Sequence, residues 1–194
     1  GNTPMAQNAL SHPHQYARLI EEWDRDGRHF VMRTACWDDL EPYAVMQREL
    51  YRERVMASTR NADTAMAGKM LNDRLVQDAT GTGLLVVVET DSRIVAEGTL
   101  SPSNGDGAIT LGLLVLKDFR NVGIGRRLMA ALEPEAKRLR KRRIDLTVWS
   151  VNDQACHLYI GMGYREIGRL PDWIRSDLAT DGVSDLLWML KDLQ

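Results

Sequence analysis

Cysteine is scarce in this chain: Cys36 and Cys156 are the only two among 194 residues. They show no paired spacing, which excludes a disulfide framework and a cysteine-based zinc site. The four histidines, His12, His14, His29 and His157, fall in no His-Glu-x-x-His or other close ligand pattern, so no metal is expected. No apolar run reaches membrane-spanning length, and the opening GNTPMAQNALSHPHQ has no apolar centre of the signal-peptide kind. A soluble, cytoplasmic protein with no membrane partner is therefore expected. Net charge is small, −2, which removes wholesale attraction to nucleic acid or anionic lipid and leaves charge to be read locally. Repeats, low-complexity tracts and interdomain linkers are also missing.

What remains is the pattern of one mixed α/β domain, within the size that buries a core without staples. The spacing of Tyr16, Leu19, Ile20 and Trp23 predicts a short helix ended by Gly27, so residues 1–27 read as a tail and helix ahead of a domain over 28–194. RHFVMRTA predicts a strand. Helices follow in DLEPYAVMQRELYRERV, capped by Asp38 or Asp39, and over about Asn61 to Asp78. LLVVVET and RIVAEGTL, separated by Asp91-Ser92, predict a hairpin. AITLGLLVL is almost continuously apolar and predicts a strand buried on both faces. Beyond it come a helix to about Lys141, the strand IDLTVWS, a helix from Asn152 to about Ile160, and the strands GYREIGRL and VSDLLWMLKDL.

The turn KDFRNVGIGRRL, Lys117 to Leu128, joins the apolar strand to a helix. A helix start presents unpartnered amides and the positive end of its dipole, which suits an anion. Glycines at 123 and 125 would let a diphosphate approach those amides, with Arg120 and Arg126 adding charge. A P-loop is excluded because no Gly-Lys-Ser/Thr follows, and a dinucleotide fingerprint would need glycine where Leu128 stands. On the turn alone, a phosphate site and a glycine-eased bend remain equally open.

The longer pattern LLVLKDFRNVGIGRRLM followed by LTVWSVNDQACHLYIGMGYREIG resembles the GNAT superfamily of N-acetyltransferases. Arg120, Gly123 and Gly125 match its Arg/Gln-x-x-Gly-x-Gly/Ala motif, and Asn152, Ala155, Tyr159 and Gly163-Tyr164 match its second signature. The resemblance implies a single mixed central sheet of six to seven strands, flanked by helices and splayed at an acetyl-CoA cleft. It implies further that the backbone of Leu113, Leu114 and Val115 holds the pantetheine arm and supplies an oxyanion donor near Val115. The amides of Asn121, Val122, Gly123, Ile124, Gly125 and Arg126 would cradle the diphosphate. Asn152 would bond the arm, Ala155 would permit close approach, and Tyr159 would give a proton to the leaving thiol. Tyr159 read by itself, without the surrounding motif, is a tyrosine anchoring its helix against the core.

Where many relatives carry a glutamate base, this chain has Ile109 and Thr110. Glu97 on the preceding strand is a candidate replacement, although an exposed strand carboxylate is the commoner reading. A water relay or an amine of low pKa would also serve. Tyr43, Gln47, Tyr51 and Trp173 are candidates for the acceptor wall, with Met56, Met66 and Met70 read as core. The expected reaction is acetyl transfer from acetyl-CoA to a primary amine, of a small molecule before a protein, by direct attack in a ternary complex. A non-catalytic acetyl-CoA sensor is the alternative. Six basic residues over Lys137 to Arg143 read as a solvated helix end rather than a nucleic-acid surface. A homodimer through the last strands is a further expectation.

Overall fold

The computed structural model describes residues 17–53, 63–175 and 181–194. The expected tail to His14, Tyr16 and Met56 lie outside the described residues. Among those described are eight strands: β1 (Leu19–Arg25), β2 (Arg28–Thr34), β3 (Leu84–Thr90), β4 (Arg93–Pro102), β5 (Ala108–Val115), β6 (Arg143–Trp149), β7 (Arg165–Arg175) and β8 (Val183–Asp192). Four α-helices accompany them: α1 (Leu40–Glu53), α2 (Thr64–Ala79), α3 (Ile124–Arg138) and α4 (Asp153–Gly161). The strands form one sheet in the order β1-β2-β3-β4-β5-β6-β8-β7. Of its pairings only β5 with β6 is parallel, joined through α3, as a crossover requires.

Leu19–Arg25 is a strand, not the expected helix, and it extends the sheet upstream of Arg28. Leu19, Ile20 and Trp23 fit a helical stripe in sequence, but the Asp26-Gly27 pair, with φ of 52° and 75°, makes a two-residue hairpin turn into β2. Trp23 then stacks on Phe30 with ring centres 5.2 Å apart. The second hairpin has the same chemistry: Asp91 and Ser92 sit at φ 50° and 60° between β3 and β4.

The sheet divides the core into two layers. α1 and α2 pack on β3 and β4, and α3 lies on the other face against β4, β5 and β6. Gly98 permits that second contact, since a Cβ there would stand 2.7 Å from Leu132 Cδ1. The fully buried Arg33 fixes the start of α1. Its guanidinium donates to both carboxylate oxygens of Asp39, at 2.9 and 2.8 Å, and to Glu89 at 2.8 Å. Buried charges persist only when answered in this way.

β5 is not buried on both faces throughout. Ala108, Ile109 and Leu111 are buried, but Leu113, Leu114 and Val115 are only half-buried. The reason lies in the pairing: β5 and β6 share only the register pairs Ala108↔Arg143, Ile109↔Ile144 and Thr110↔Asp145. Beyond Thr110 the two strands diverge. Asp145 pins the point of divergence, accepting from Thr110 Oγ1 at 2.5 Å and from Ser103 Oγ at 2.6 Å.

Candidate active site

The divergence opens one edge of β5. Because Leu116 N donates to Val95 O across the β4 side, alternation turns the backbone groups of Leu113 and Val115 toward the gap, with no β6 partner. Arg120 Nε takes the Val115 carbonyl at 2.9 Å. The Val115 N–H remains aimed into the opening.

A cavity of about 450 Å³ continues from this edge over the start of α3 and along α4. Leu113, Val115, Arg120, Asn121, Gly123, Ile124, Gly125, Arg126, Asn152, Ala155 and Tyr159 line it, together with Phe119, Gln154, His157 and Leu158. The sequence reading missed those last four. Leu114 and Val122 contribute no lining, since Leu114 projects to the opposite face of the strand.

The turn before α3 is built for backbone exposure. Asn121 and Gly123 both take positive φ, 62° and 87°, and Gly123 is the N-cap of α3. The amides of Ile124, Gly125 and Arg126 therefore open the helix without intrahelical acceptors. A Cβ on Gly125 would stand 3.0 Å from Leu158 Cδ2, so glycine is what lets α4 close on this turn. Three contacts hold the turn from outside. Arg25 Nη1 of β1 donates to Val122 O at 2.8 Å. Arg127 pairs with Glu21 and lies 4.7 Å over the Trp23 ring. Gln154 donates to Asn121 Oδ1.

The two arginines of the motif part company. Arg120 is paired with Glu53 at the end of α1, whose other oxygen accepts from Lys117 N at 2.8 Å, so its charge is answered within the protein. Arg126 is exposed, with a thioether contact to Met162 at 3.4 Å, and remains the cation facing the cavity. Asn152 uses its carbonyl as the N-cap of α4, accepting from Ala155 N at 3.2 Å. His157 Nδ1 bonds the Asp153 carbonyl at 2.7 Å.

Tyr159 is buried, and burial pushes its hydroxyl up to about 12. It stays protonated at neutral pH. Cys156 and Cys36 are also pushed up by burial, which disfavours thiolate chemistry at either.

Glu97 is neither in this cavity nor the exposed strand carboxylate that is the commoner reading. It pairs with Leu114 and projects to the α1 face, 5 % exposed, where Gln47 Nε2 donates to it at 3.2 Å and the Tyr43 hydroxyl bonds it. Desolvation raises it from its usual 4.5 to about 7, while Tyr43 is pushed up first by burial and then by the Glu97 charge. Of the remaining wall candidates, Tyr51 and Trp173 are exposed and neither lines the cavity. In the basic run, Arg138, Arg142 and Arg143 pair with Glu135, Asp106 and Asp192. Among the described residues there is no group of three metal-ligating side chains, and no helix is long and apolar enough to cross a membrane.

The glycine turn, the split strand pair and the tyrosine lie within the segment matched by one family description, Acetyltransferase (GNAT) family, over residues 46–164. The chain belongs to the GNAT acetyltransferase family. It is thus an acetyl-CoA-dependent acetyltransferase, with a sheet of eight strands. The extra strand over the six or seven expected is accounted for by β1. The GNAT fold is matched by a putative acetyltransferase of Salmonella typhimurium solved with acetyl-CoA, at 20 % identity and TM-score 0.69, over 85 % of this chain and 94 % of that one. A ribosomal-protein-alanine N-acetyltransferase of Brucella melitensis matches at 21 % and 0.70, covering 84 % and 99 %. A chimeric spermidine N-acetyltransferase from Vibrio cholerae matches at 19 % and 0.68, covering 84 % and 95 %. No protein of curated function matches the sequence.

The cavity fits the cosubstrate. The α3 amides and Arg126 suit a diphosphate, and the free edge of β5 suits an amide-bearing arm laid along it like an added strand.

Proposed function

We propose that this GNAT enzyme acetylates a strongly basic primary amine of a small molecule by direct attack within a ternary complex. One observation carries the reading: the cavity that contains the unpaired edge of β5 and the open amides of α3 is also lined by the protonated Tyr159, while Glu97 lies outside it, buried behind Leu114 on the other face of the sheet. The amides at the start of α3, with Arg126, hold the diphosphate. The edge of Leu113 and Val115 holds the arm, and the Val115 N–H receives the charge that develops on the thioester oxygen. The amine nitrogen bonds to the acetyl carbon as the carbon–sulfur bond breaks. Glu97 takes the proton the nitrogen loses, through water, and Tyr159 supplies one to the departing sulfur.

Glu97 also speaks to the acceptor. An amine of pKa near 10.4 is neutral about once in 2,500 molecules at pH 7, whereas an α-amine near 7.8 is neutral about once in seven. A base therefore matters far more for the first kind than for a peptide N-terminus. Thiol release with a panel of amines tests this: turnover should require an amine and fall on Tyr159→Phe. Tight acetyl-CoA binding with no turnover on any amine would make the protein a sensor instead.

A further inference from the structure

The sheet is covered unequally. On the face that carries Glu97 and Leu114, α1 and α2 pack on β3 and β4, while no described helix packs on β6, β8 and β7. Register identifies the side chains left there. Thr110 and Leu114 share a face of β5, and Thr110 pairs with Asp145, so Asp145, Thr147 and Trp149 of β6 share it too. Thr147 pairs with Trp188 and Trp149 with Leu186. Leu186 in turn pairs with Leu170, and Trp188 with Gly168. The indole lies over Gly168, at the van der Waals distance of 3.8 Å from where a Cβ would stand. Trp188 and Leu170 are 49 % and 46 % exposed. This apolar strip begins on β6, the strand that bounds the opening.

Neither carboxylate on this face is both exposed and free of a cation: Asp145 is buried. Asp145 accepts from Thr110 and Ser103, and Asp192 lies between Arg143 at 3.6 Å and Arg165 at 3.4 Å. An acceptor bearing several ammonium groups would find no exposed carboxylate without a cation beside it among these residues, whereas a flat apolar body would gain contact with two indoles.

We infer that the acceptor is an amine carrying an apolar, ring-bearing body, and that this body lies on the strip formed by Trp149, Leu186, Trp188 and Leu170 while the amine enters the opening. The inference rests on the acetyl-transfer reading above and names the class of its substrate. The strip's continuity with the opening selects this occupant over a second copy of the chain.

The test compares phenylethylamine with n-propylamine and spermidine. Initial rates are measured, and each amine is titrated by calorimetry into the protein saturated with CoA. Phenylethylamine should have a KM about tenfold below that of n-propylamine. Trp188→Ala and Leu170→Ser, both at exposed positions, should erase that preference while leaving the KM for acetyl-CoA unchanged. Preferential binding without turnover would keep the inference and sink acetyl transfer. Equal or better use of spermidine, preference for peptides regardless of ring content, or a Trp188→Ala variant that changes only the oligomeric state by light scattering would each overturn the inference.

Discussion

Replacing Glu97 by glutamine should raise stability and remove activity together, because the buried carboxyl is held at a cost. Its acid is lifted from 4.5 to about 7 by desolvation, so the folded state binds the proton more tightly than the unfolded chain. The stabilising contribution of that proton is complete below about pH 4.5, fades as pH rises toward 7 and is gone above it, when the full displacement amounts to about 3 kcal/mol. Between about pH 5.5 and about pH 8.5 the wild type should lose about 2 kcal/mol that Glu97→Gln keeps. The amide preserves the shape of the protonated acid and retains a carbonyl to accept from Tyr43 or Gln47. Urea unfolding of both proteins at the two pH values reads the difference directly. In the wild type the acetylation rate should also fall as pH drops below about 7, and the variant should lose about 100-fold or more in kcat. Parallel stability curves would refute the burial argument, and full activity in the variant would refute the base.

Tyr159→Phe should cut kcat about 100-fold with acetyl-CoA affinity unchanged, measured by rates and calorimetry. In the wild type no alkaline loss assignable to this hydroxyl should appear below about pH 11, given a value of about 12. Gly123→Ala places a side chain at φ 87°. It should cost about 1–2 kcal/mol in urea unfolding and weaken CoA binding. Arg25→Ala removes the bond to Val122 O. It should raise the KM for acetyl-CoA about fivefold while leaving kcat unchanged in steady-state assays, since the residue braces the Gly123 turn without touching the proposed chemistry.

The parts of the site written locally in the sequence were legible. The Gly123 and Gly125 turn, the cap at Asn152 and the helix bearing Tyr159 depend on neighbours close in the chain, so spacing announces them. Glu97 was not, because its burial comes from Tyr43 and Gln47, about fifty residues upstream, on a helix placed in turn by the Arg33–Asp39 bond. Strand β1 departs from the expected helix because Leu19, Ile20 and Trp23 fit a helical stripe in sequence, whereas the Asp26-Gly27 hairpin turn sets the local structure. The bond from Arg25 of β1 to Val122 O is invisible for the same reason. The fate of Arg120 was equally invisible: one-dimensional spacing shows an arginine beside a glycine loop, but only the fold brings Glu53 to it.

The seam between β5 and β6 is only three register pairs long, and beyond it α3, packed across β4, β5 and β6, bridges the two parts of the sheet. With the arm laid in the gap between the two strands as proposed above, Asp145 would stand at its vertex, where the bonds to Thr110 and Ser103 oppose wider opening. Tolerance for longer acyl chains would consequently be tuned at this vertex, well away from the sulfur, by whatever loosens or tightens the grip of Asp145 on Thr110 and Ser103.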